Sequence, residues 1–540
     1  MPQTTETYYY INGRRVPLTR RDDLMAIKLA GIDRRSAVTR SSGGDIPNFQ
    51  PPAAEDIWPG GELVVQRSAG VTRSGGEQAL PLRDLNQRSD VEYASPIFEI
   101  SPGDRWIATN QLIAQFNDSL SEFDVESLGN FYGVERLERI DWLPRGYVLR
   151  TTPATTRDVV AIANALVEGG HVRFAHPNFL RKYAHRTDPP AARVTNSNWH
   201  LLAIDVVPAW QISRGKPTVQ IAIIDDGVDL DHSAFPNQAS HFNAIDRSNN
   251  PRPPTAHAEF YTHGTACAGL AVGAPNAEVG TSGVAPGCRL MAVRLLDRVI
   301  APEAETAIHS VLSGEDTLAL SRALSVVQPY REALSIQWAA EHGAAVISNS
   351  WGPPDGKAQF GIEYPIDDIT RLAVAYAVEK GRDGKGCVIC WAAGNGNESV
   401  SFDGYASHPD VLAVAAVTRD GTRAPYSDFG PEVDICAPGG GYSDGLLTTV
   451  SVDPASHAAY RDNFNGTSAA TPIVAGVAGL LLSEYPDLTY RDVFDILKAT
   501  ADKIDADGGA YDGDGHSMHY GYGRINAAKA LEEAQRRQGG

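Results

Sequence analysis

Cysteine is scarce in this chain of 540 residues: the five stand at 267, 288, 387, 390 and 436. An odd number, all beyond residue 260 and without framework spacing, excludes a disulfide-stapled scaffold. Cys387 and Cys390 form a C-x-x-C within Gly386-Cys387-Val388-Ile389-Cys390-Trp391-Ala392, which reads as a buried strand. Residues three apart on a strand point to opposite faces, so core packing is expected there rather than a shared metal ion. Basic charge is also short. Lys and Arg number 47 against 66 Asp and Glu, a net of −19, which excludes a nucleic-acid binder that works by neutralising phosphates. No run of about 18 apolar residues is present, so no membrane-spanning helix and no membrane partner is expected. The opening Met1-Pro2-Gln3-Thr4-Thr5-Glu6-Thr7 lacks the basic-then-apolar order of a secretory signal, and a cytoplasmic location is expected.

What remains is an ordinary globular composition, 42% hydrophobic and 21% charged. The acidity is uneven: residues 1–188 hold 22 Lys/Arg and 24 Asp/Glu, the remainder 25 and 42. An acidic domain suits cations or basic peptides, and serves solubility equally well.

Punctuation divides the chain into four parts. Residues 1–104 form an N-terminal extension with short strand-like pieces (Leu24–Leu29, Glu62–Val65) and no visible chemistry. Residues 105–183 alternate as strand (Gln111–Phe116), helix (Ser121–Tyr132), strand (Tyr147–Arg150), helix from Thr156, and strand (Val172–Ala175). Phe123, Leu128 and Phe131 share one helical face there, and the whole predicts a small α/β sandwich. Residues 184–198 read as an exposed, cleavable linker that carries Arg186, Pro189 and Pro190. From 199 to 540, continuous apolar strands (Val219–Ile224, Leu290–Leu296, Ala344–Ile347, Cys387–Ala393, Val411–Val417) alternate with helices (Ile336–His342, Ile366–Glu379, Thr471–Glu484, Tyr490–Ala501). Strands apolar on both faces and alternating with helices predict an α/β fold, a parallel sheet covered by helices on both faces. Ligands then belong at the carboxyl ends of the strands.

Four motifs fall at such ends. Ile223-Ile224-Asp225-Asp226-Gly227 sets a carboxylate where a strand stops, and His263-Gly264-Thr265 sets an imidazole at a helix start. Trp391-Ala392-Ala393-Gly394-Asn395-Gly396 ends a strand with a side-chain amide, a donor of the kind a tetrahedral intermediate needs. Asn465-Gly466-Thr467-Ser468-Ala469-Ala470-Thr471-Pro472 precedes an apolar helix, so Ser468 has free backbone N–H groups and the positive end of the helix dipole beside it. Singly, each reads as a turn or a cap. Together, in the order Asp, His, Asn, Ser, they resemble the subtilisin-like serine peptidases over residues 199–535.

The resemblance implies Ser468 as nucleophile, His263 as general base, Asp225 as its orienter, and Asn395 with the Ser468 N–H as oxyanion hole. It implies that Ser350-Trp351-Gly352 pairs substrate backbone as an added strand. Asp225-Asp226-Gly227, Cys267 near the histidine, Ser350-Trp351-Gly352-Pro353, Asp403-Gly404-Tyr405 and Tyr520-Gly521-Tyr522-Gly523 are similar to the kexin/furin branch in particular. That branch cleaves after Arg or Lys, which implies Asp355 and Asp403 in the first pocket and Asp226 near the next, with solvated surface acids as the alternative. It also binds calcium, for which Asp355, Glu398 and Asp428 are the counterparts. Asp505, Asp507, Asp512 and Asp514 form a further acid-Gly run, more simply read as a solvated turn. Residues 105–183 then correspond to an inhibitory, chaperoning propeptide, cut away after Lys182 or Arg186. An extra stretch at 298–330, with Glu303, Glu305, Glu315 and Asp316, is read as a cleft rim or a regulator site. The competing reading is a catalytically idle scaffold locked by its propeptide. A sedolisin-like acid peptidase would carry Glu in place of His263 and Asp in place of Asn395, and is disfavoured.

Overall fold

The computed structural model describes residues 4–30, 58, 62–66, 82–101, 104–153, 155, 157–185, 198–254, 261–276, 278–298, 325–355, 361–452 and 459–539. Seven parallel strands build the larger part in the spatial order Phe242–Asn243, Arg289–Arg294, Gln220–Asp225, Ala344–Asn349, Val388–Ala392, Leu412–Val417 and Ile435–Pro438. Ile221, Ala222, Val346, Ile347, Val388 and Ile389 are all sealed from solvent, which is why these strands show no polar alternation. Phe242–Asn243 and Ile435–Pro438 are too short to register as apolar runs in the sequence.

The first of these strands in sequence, Gln220–Asp225, lies third in space. The chain first adds strands on one side of it and then crosses to Ala344–Asn349 on the other. Strand order therefore reverses between these two, and the crevice at such a switch point is where an open α/β sheet binds ligands. Asp225 ends one of the two strands, and Ser350 follows the other.

Helix His263–Val272 packs on helix Thr467–Glu484, and Pro329–Glu341 packs on Asp368–Lys380. Helix Thr467–Glu484 is long and apolar enough to cross a membrane, but 94% of it is buried inside the protein, where it serves as a core helix.

The second sheet is antiparallel. Its centre, Arg105–Phe116, pairs with Gly146–Thr151 on one side and Val172–His185 on the other. Helices Glu122–Tyr132, closed by a Ser121/Asp124 capping box, and Val159–Glu168, capped by Asp158, complete the sandwich. Phe123 and Phe131 do not face the core as their spacing suggests. They are 75% and 76% exposed, and the helix is anchored instead by Val125, with Leu128 and Tyr132 packed beside it. A strand at Val134–Ile140 also went unread, because its Glu-Arg-Leu-Glu-Arg centre is charged and largely exposed. The sheet does not stop at residue 104. Strands Thr4–Ile11, Arg14–Leu29, Glu62–Gln66 and Val91–Glu99 continue it, joined through the pairing of Ile97 with Ile107.

One strand ties the two parts together. Val172–His185 runs well past the Ala175 end expected from sequence. Its first half completes the small sheet. Arg181–Tyr183 then pair with Ser325–Val327, and Ala184 and His185 pair with Gly352 and Trp351. The end of the 298–330 stretch thus forms one rim of the cleft, while its acids Glu303, Glu305, Glu315 and Asp316 lie outside the described residues. Arg186 and most of the expected 184–198 linker also lie outside them.

Candidate active site

Asp225 and His263 meet because a strand end and a helix start approach closely. The glycine after the histidine makes this possible: a Cβ on Gly264 would stand 2.3 Å from the Gly227 carbonyl and 2.9 Å from Asp225 Cβ. His263 Nδ1 lies 2.8 and 2.9 Å from the two Asp225 oxygens, with both residues buried. That bond fixes Nδ1 as the protonated nitrogen and leaves Nε2 as the basic one. Asp226 turns inward. It is sealed from solvent and accepts the Gly264 N–H at 2.8 Å, so in this form it holds the first turn of the histidine helix.

Ser468 is the second residue of its helix, after Gly466 at φ 105°. The helix begins four residues earlier than the sequence reading, so Pro472 lies within it and not in its first turn. A proline has no N–H to give to the carbonyl four residues back. The freed Ser468 carbonyl accepts from Ser350 Oγ at 3.2 Å and from Cys267 Sγ at 3.5 Å. Ser468 Oγ in turn donates to the Ser350 carbonyl at 3.1 Å. Cys267 Sγ is also 3.8 Å from His263 Nδ1, so one thiol touches both the serine and the histidine segments. Burial and the Asp225 carboxylate push that thiol far above its ordinary pKa. Asp225, His263 and Cys267 lie close enough together to pass as metal ligands, but a protonated thiol and an imidazole already bonded to the carboxylate make a poor donor set.

Asn395 Oδ1 accepts from both the Thr467 N–H and Thr467 Oγ1, each at 3.0 Å. Both partners are donors, so the amide orientation is determined and Nδ2 points the other way. Nδ2 is buried with no hydrogen-bond partner among the described residues. A buried, unmade N–H is costly, and an oxyanion is the ligand that would use it. Thr467 was not singled out from sequence, although it stands in full view within Asn465-Gly466-Thr467-Ser468.

Asp355, Glu398 and Asp428 offer carboxylate oxygens that all lie within 4.8 Å of one another. A Cβ on Gly394, at φ 124°, would stand 2.0 Å from Asp428 Oδ2, so glycine is required for the acids to pack against this turn. The Glu398 and Asn395 N–H groups donate to Asp428 and Asp355 at 3.0 and 3.3 Å. Asp403 lines the same cavity, and accepts the Tyr405 N–H at 2.8 Å. Hard oxygen donors at this spacing fit a calcium ion, which would offset their mutual repulsion. The Asp505–Asp514 run is a set of turns: Asp512 Oδ1 accepts the N–H groups of Asp514 and His516 at 3.0 and 2.9 Å, and Asp505 accepts from Gly508 and Tyr520 at 3.1 and 2.7 Å.

The C-x-x-C cysteines are core residues. Both are sealed from solvent, Cys387 Sγ donates to the Ala344 carbonyl at 3.1 Å, and burial pushes the Cys387 thiol up to about 12. Beyond the catalytic groups, Tyr183 of the bridging strand stacks on Trp351 at 5.9 Å and shares a 2.6 Å hydroxyl bond with Tyr405. Arg181 reaches a buried pair of acids, Asp367 and Glu332. No spacing rule connects residues 181, 332, 367 and 405, so their grouping was not legible in the sequence, although Tyr405 stands in the Asp403-Gly404-Tyr405 motif.

The chain is similar to known proteins in sequence and in fold. The subtilase family model matches residues 216–523. A calcium-dependent protease of Nostoc sp. is 38% identical over 492 residues, covering 83% of this chain and 67% of its own. A thermophilic serine proteinase of Bacillus sp. is 30% identical, covering 69% of this chain and 76% of its own. Protease KEX1 of Kluyveromyces lactis is 27% identical, covering 78% of this chain and 53% of its own. Among solved structures, fervidolysin from Fervidobacterium pennivorans superposes with a TM-score of 0.58 at 22% identity, over 80% of this chain and 62% of that one, a likeness of fold. The chain belongs to the subtilase family and is a serine peptidase that hydrolyses polypeptides.

Proposed function

We propose that the chain is a calcium-assisted endopeptidase cleaving after Arg or Lys, made as a zymogen that processes itself. Ser468 Oγ leaves the Ser350 carbonyl, passes its proton to His263 Nε2 and attacks the scissile carbonyl. Asp225 keeps the imidazole in the right tautomer and stabilises it when charged. The oxyanion takes hydrogen bonds from Asn395 Nδ2 and the Ser468 N–H. His263 then returns the proton to the leaving amine, and water repeats the sequence in reverse to release the acid product.

The observation that carries this reading is the backbone pairing of Ala184 and His185 with Gly352 and Trp351. An antiparallel strand on that segment is how a substrate would bind, so the propeptide's end occupies the substrate's place. Trp351, opposite His185, follows Ser350, the residue that exchanges hydrogen bonds with Ser468, so a scissile bond belongs beyond His185. Of the two basic candidates, this supports Arg186. Lys182 is opposite Val326, with its ammonium 5.0 Å from the Trp58 ring. Asp355 and Asp403 are the acids that would receive the guanidinium, since an apolar guest would leave them unpaired.

Asp355, Glu398 and Asp428 would hold calcium. The ion supplies charge neutralisation and rigidity beside Asn395, two residues of whose turn pack on these acids. The Nostoc relative's description as calcium-dependent accords with this. The test of the whole reading is turnover of arginyl, lysyl and leucyl peptide amides with calcium and with chelator. Fast arginyl cleavage lost to chelator supports it, whereas equal rates on all three in both conditions overturn it.

A further inference from the structure

We propose that the N-terminal extension is a second inhibitory latch, which holds the propeptide onto the catalytic part at two points, one at the start of helix Asp368–Lys380 and one at Tyr364, beside the cavity lined by Asp355 and Asp403. The inference rests on residues 105–183 acting as an inhibitor, and adds a role for the segment before them.

The hairpin Thr4–Ile11/Arg14–Leu29 turns through Asn12 and Gly13, at φ 50° and 71°. Two left-handed residues in sequence are the requirement of a tight hairpin turn, and Asn-Gly meets it. This tip extends beyond the last strand pair, Ile11 with Arg14. It reaches the start of the catalytic helix Asp368–Lys380, where the Asn12 N–H donates to Asp368 Oδ2 at 3.0 Å and Arg371 Nε donates to Asn12 Oδ1 at 2.8 Å. Two polar groups of one turn residue, its backbone N–H and its Oδ1, are thus matched to an acid and a base of the catalytic part. Asp367, which precedes that helix, holds Arg181 of the bridging strand, so the hairpin tip and the inhibitory strand grip one helix end.

The second point is Asp104, at the junction of extension and propeptide. It accepts the hydroxyl of Tyr364, and both residues are buried. Tyr364 joins the apolar cluster of Tyr9, Trp106 and Phe179, so the catalytic part inserts a ring into the core of the extension and propeptide. The hairpin is itself firmly fixed to the propeptide. Asn164 Nδ2 donates to the Tyr8 carbonyl at 2.8 Å, and Tyr8 Oη donates to Glu168 at 2.6 Å. Force on the tip is therefore transmitted to the inhibitor instead of being absorbed by a loose arm. A surface that served only to fold the extension would not need a buried carboxylate, Asp104, aimed at another part of the chain.

The extension leaves with the propeptide, so substitutions in it alter latency without altering the mature enzyme. Asn12→Gly keeps the left-handed turn and removes the Arg371 acceptor. Asp104→Ala removes the Tyr364 acceptor. In the full-length chain, the time from internal cleavage to full peptidase activity should shorten about 3- to 10-fold for either variant, and by roughly the product of the two for the double variant. Final specific activity and cleavage rate should match those of the parent. If the parent shows the delay and neither variant shortens it, the latch is wrong while the inhibitor reading stands. If the parent shows full activity with no delay after cleavage, the inhibitor reading itself has failed. Hydrogen exchange guards against a variant that misfolds: in the parent chain, the Asn12 amide should exchange slowly before release and fast after it. Equal exchange in the two states would overturn the proposal without recourse to any substitution.

Discussion

Thr467 holds the side-chain oxygen of Asn395 with two donors, its backbone N–H and its hydroxyl, each 3.0 Å away. The residue before Ser468 thereby aims the amide N–H that, in the proposed mechanism, would serve the oxyanion. Geometry of this kind exists before substrate arrives, which is what makes electrostatic stabilisation effective.

Asn395→Ala should lower kcat by about 100- to 1000-fold with little change in KM, because the lost hydrogen bond is made only in the transition state. Thr467→Val retains the backbone donor and removes one of two orienting bonds, so kcat should fall about 5- to 10-fold. Steady-state kinetics on an arginyl substrate check both, and a change confined to KM would contradict the assignment.

Asp428→Asn should weaken calcium binding and lower the Tm measured at fixed calcium. Excess calcium should recover most of the loss. Ligand that binds only the native state at about 100 times its Kd adds about 2.7 kcal/mol, so chelation of the parent should lower Tm by several degrees. Calorimetry with and without chelator measures it.

His200 is buried without a hydrogen-bond partner for either ring nitrogen among the described residues, and desolvation pushes its pKa from 6.5 down to about 3. The unfolded chain takes up a proton as pH falls below about 6.5, whereas the native chain does not until near pH 3. Stability from this group is therefore complete above pH 6.5 and is lost on acidification, at about 1.4 kcal/mol per pH unit. His200→Leu should flatten the stability profile between pH 6 and pH 4 by that slope. Urea titrations across this range read it directly, and an unchanged slope would refute the argument.

Cys267 touches the histidine and serine segments at once, and a mercurial there would displace the imidazole. Because the thiol is buried and its pKa is raised, labelling at neutral pH should be slow, and should quicken as pH rises. Activity should fall in step with labelling. Full modification with activity intact would count against the contact.

The sequence made the chemistry legible wherever short spacing carries it. His263-Gly264-Thr265 and Asn465-Gly466-Thr467-Ser468 are local arrangements, and the apolar strands announced a parallel sheet through their lack of alternation. Relations across the fold were not legible. The pairing of Ser325–Val327 with Arg181–Tyr183 joins segments more than a hundred residues apart, and the carbonyl freed by Pro472 finds its donors on two other elements. The extension looked featureless because its contacts are with another part of the chain. Phe123 and Phe131 misled for the opposite reason: helical spacing reports a face, but not what covers it.

The central claim is that Ser468, served by His263, cuts the chain that lies in its own cleft. Mass spectrometry of the purified full-length chain and its Ser468→Ala variant, each incubated alone, tests this most directly. The account predicts a new N-terminus immediately after Arg186 in the parent and an intact 540-residue chain in the variant. Identical processing of the variant, or a mature start that follows an apolar residue, would contradict it.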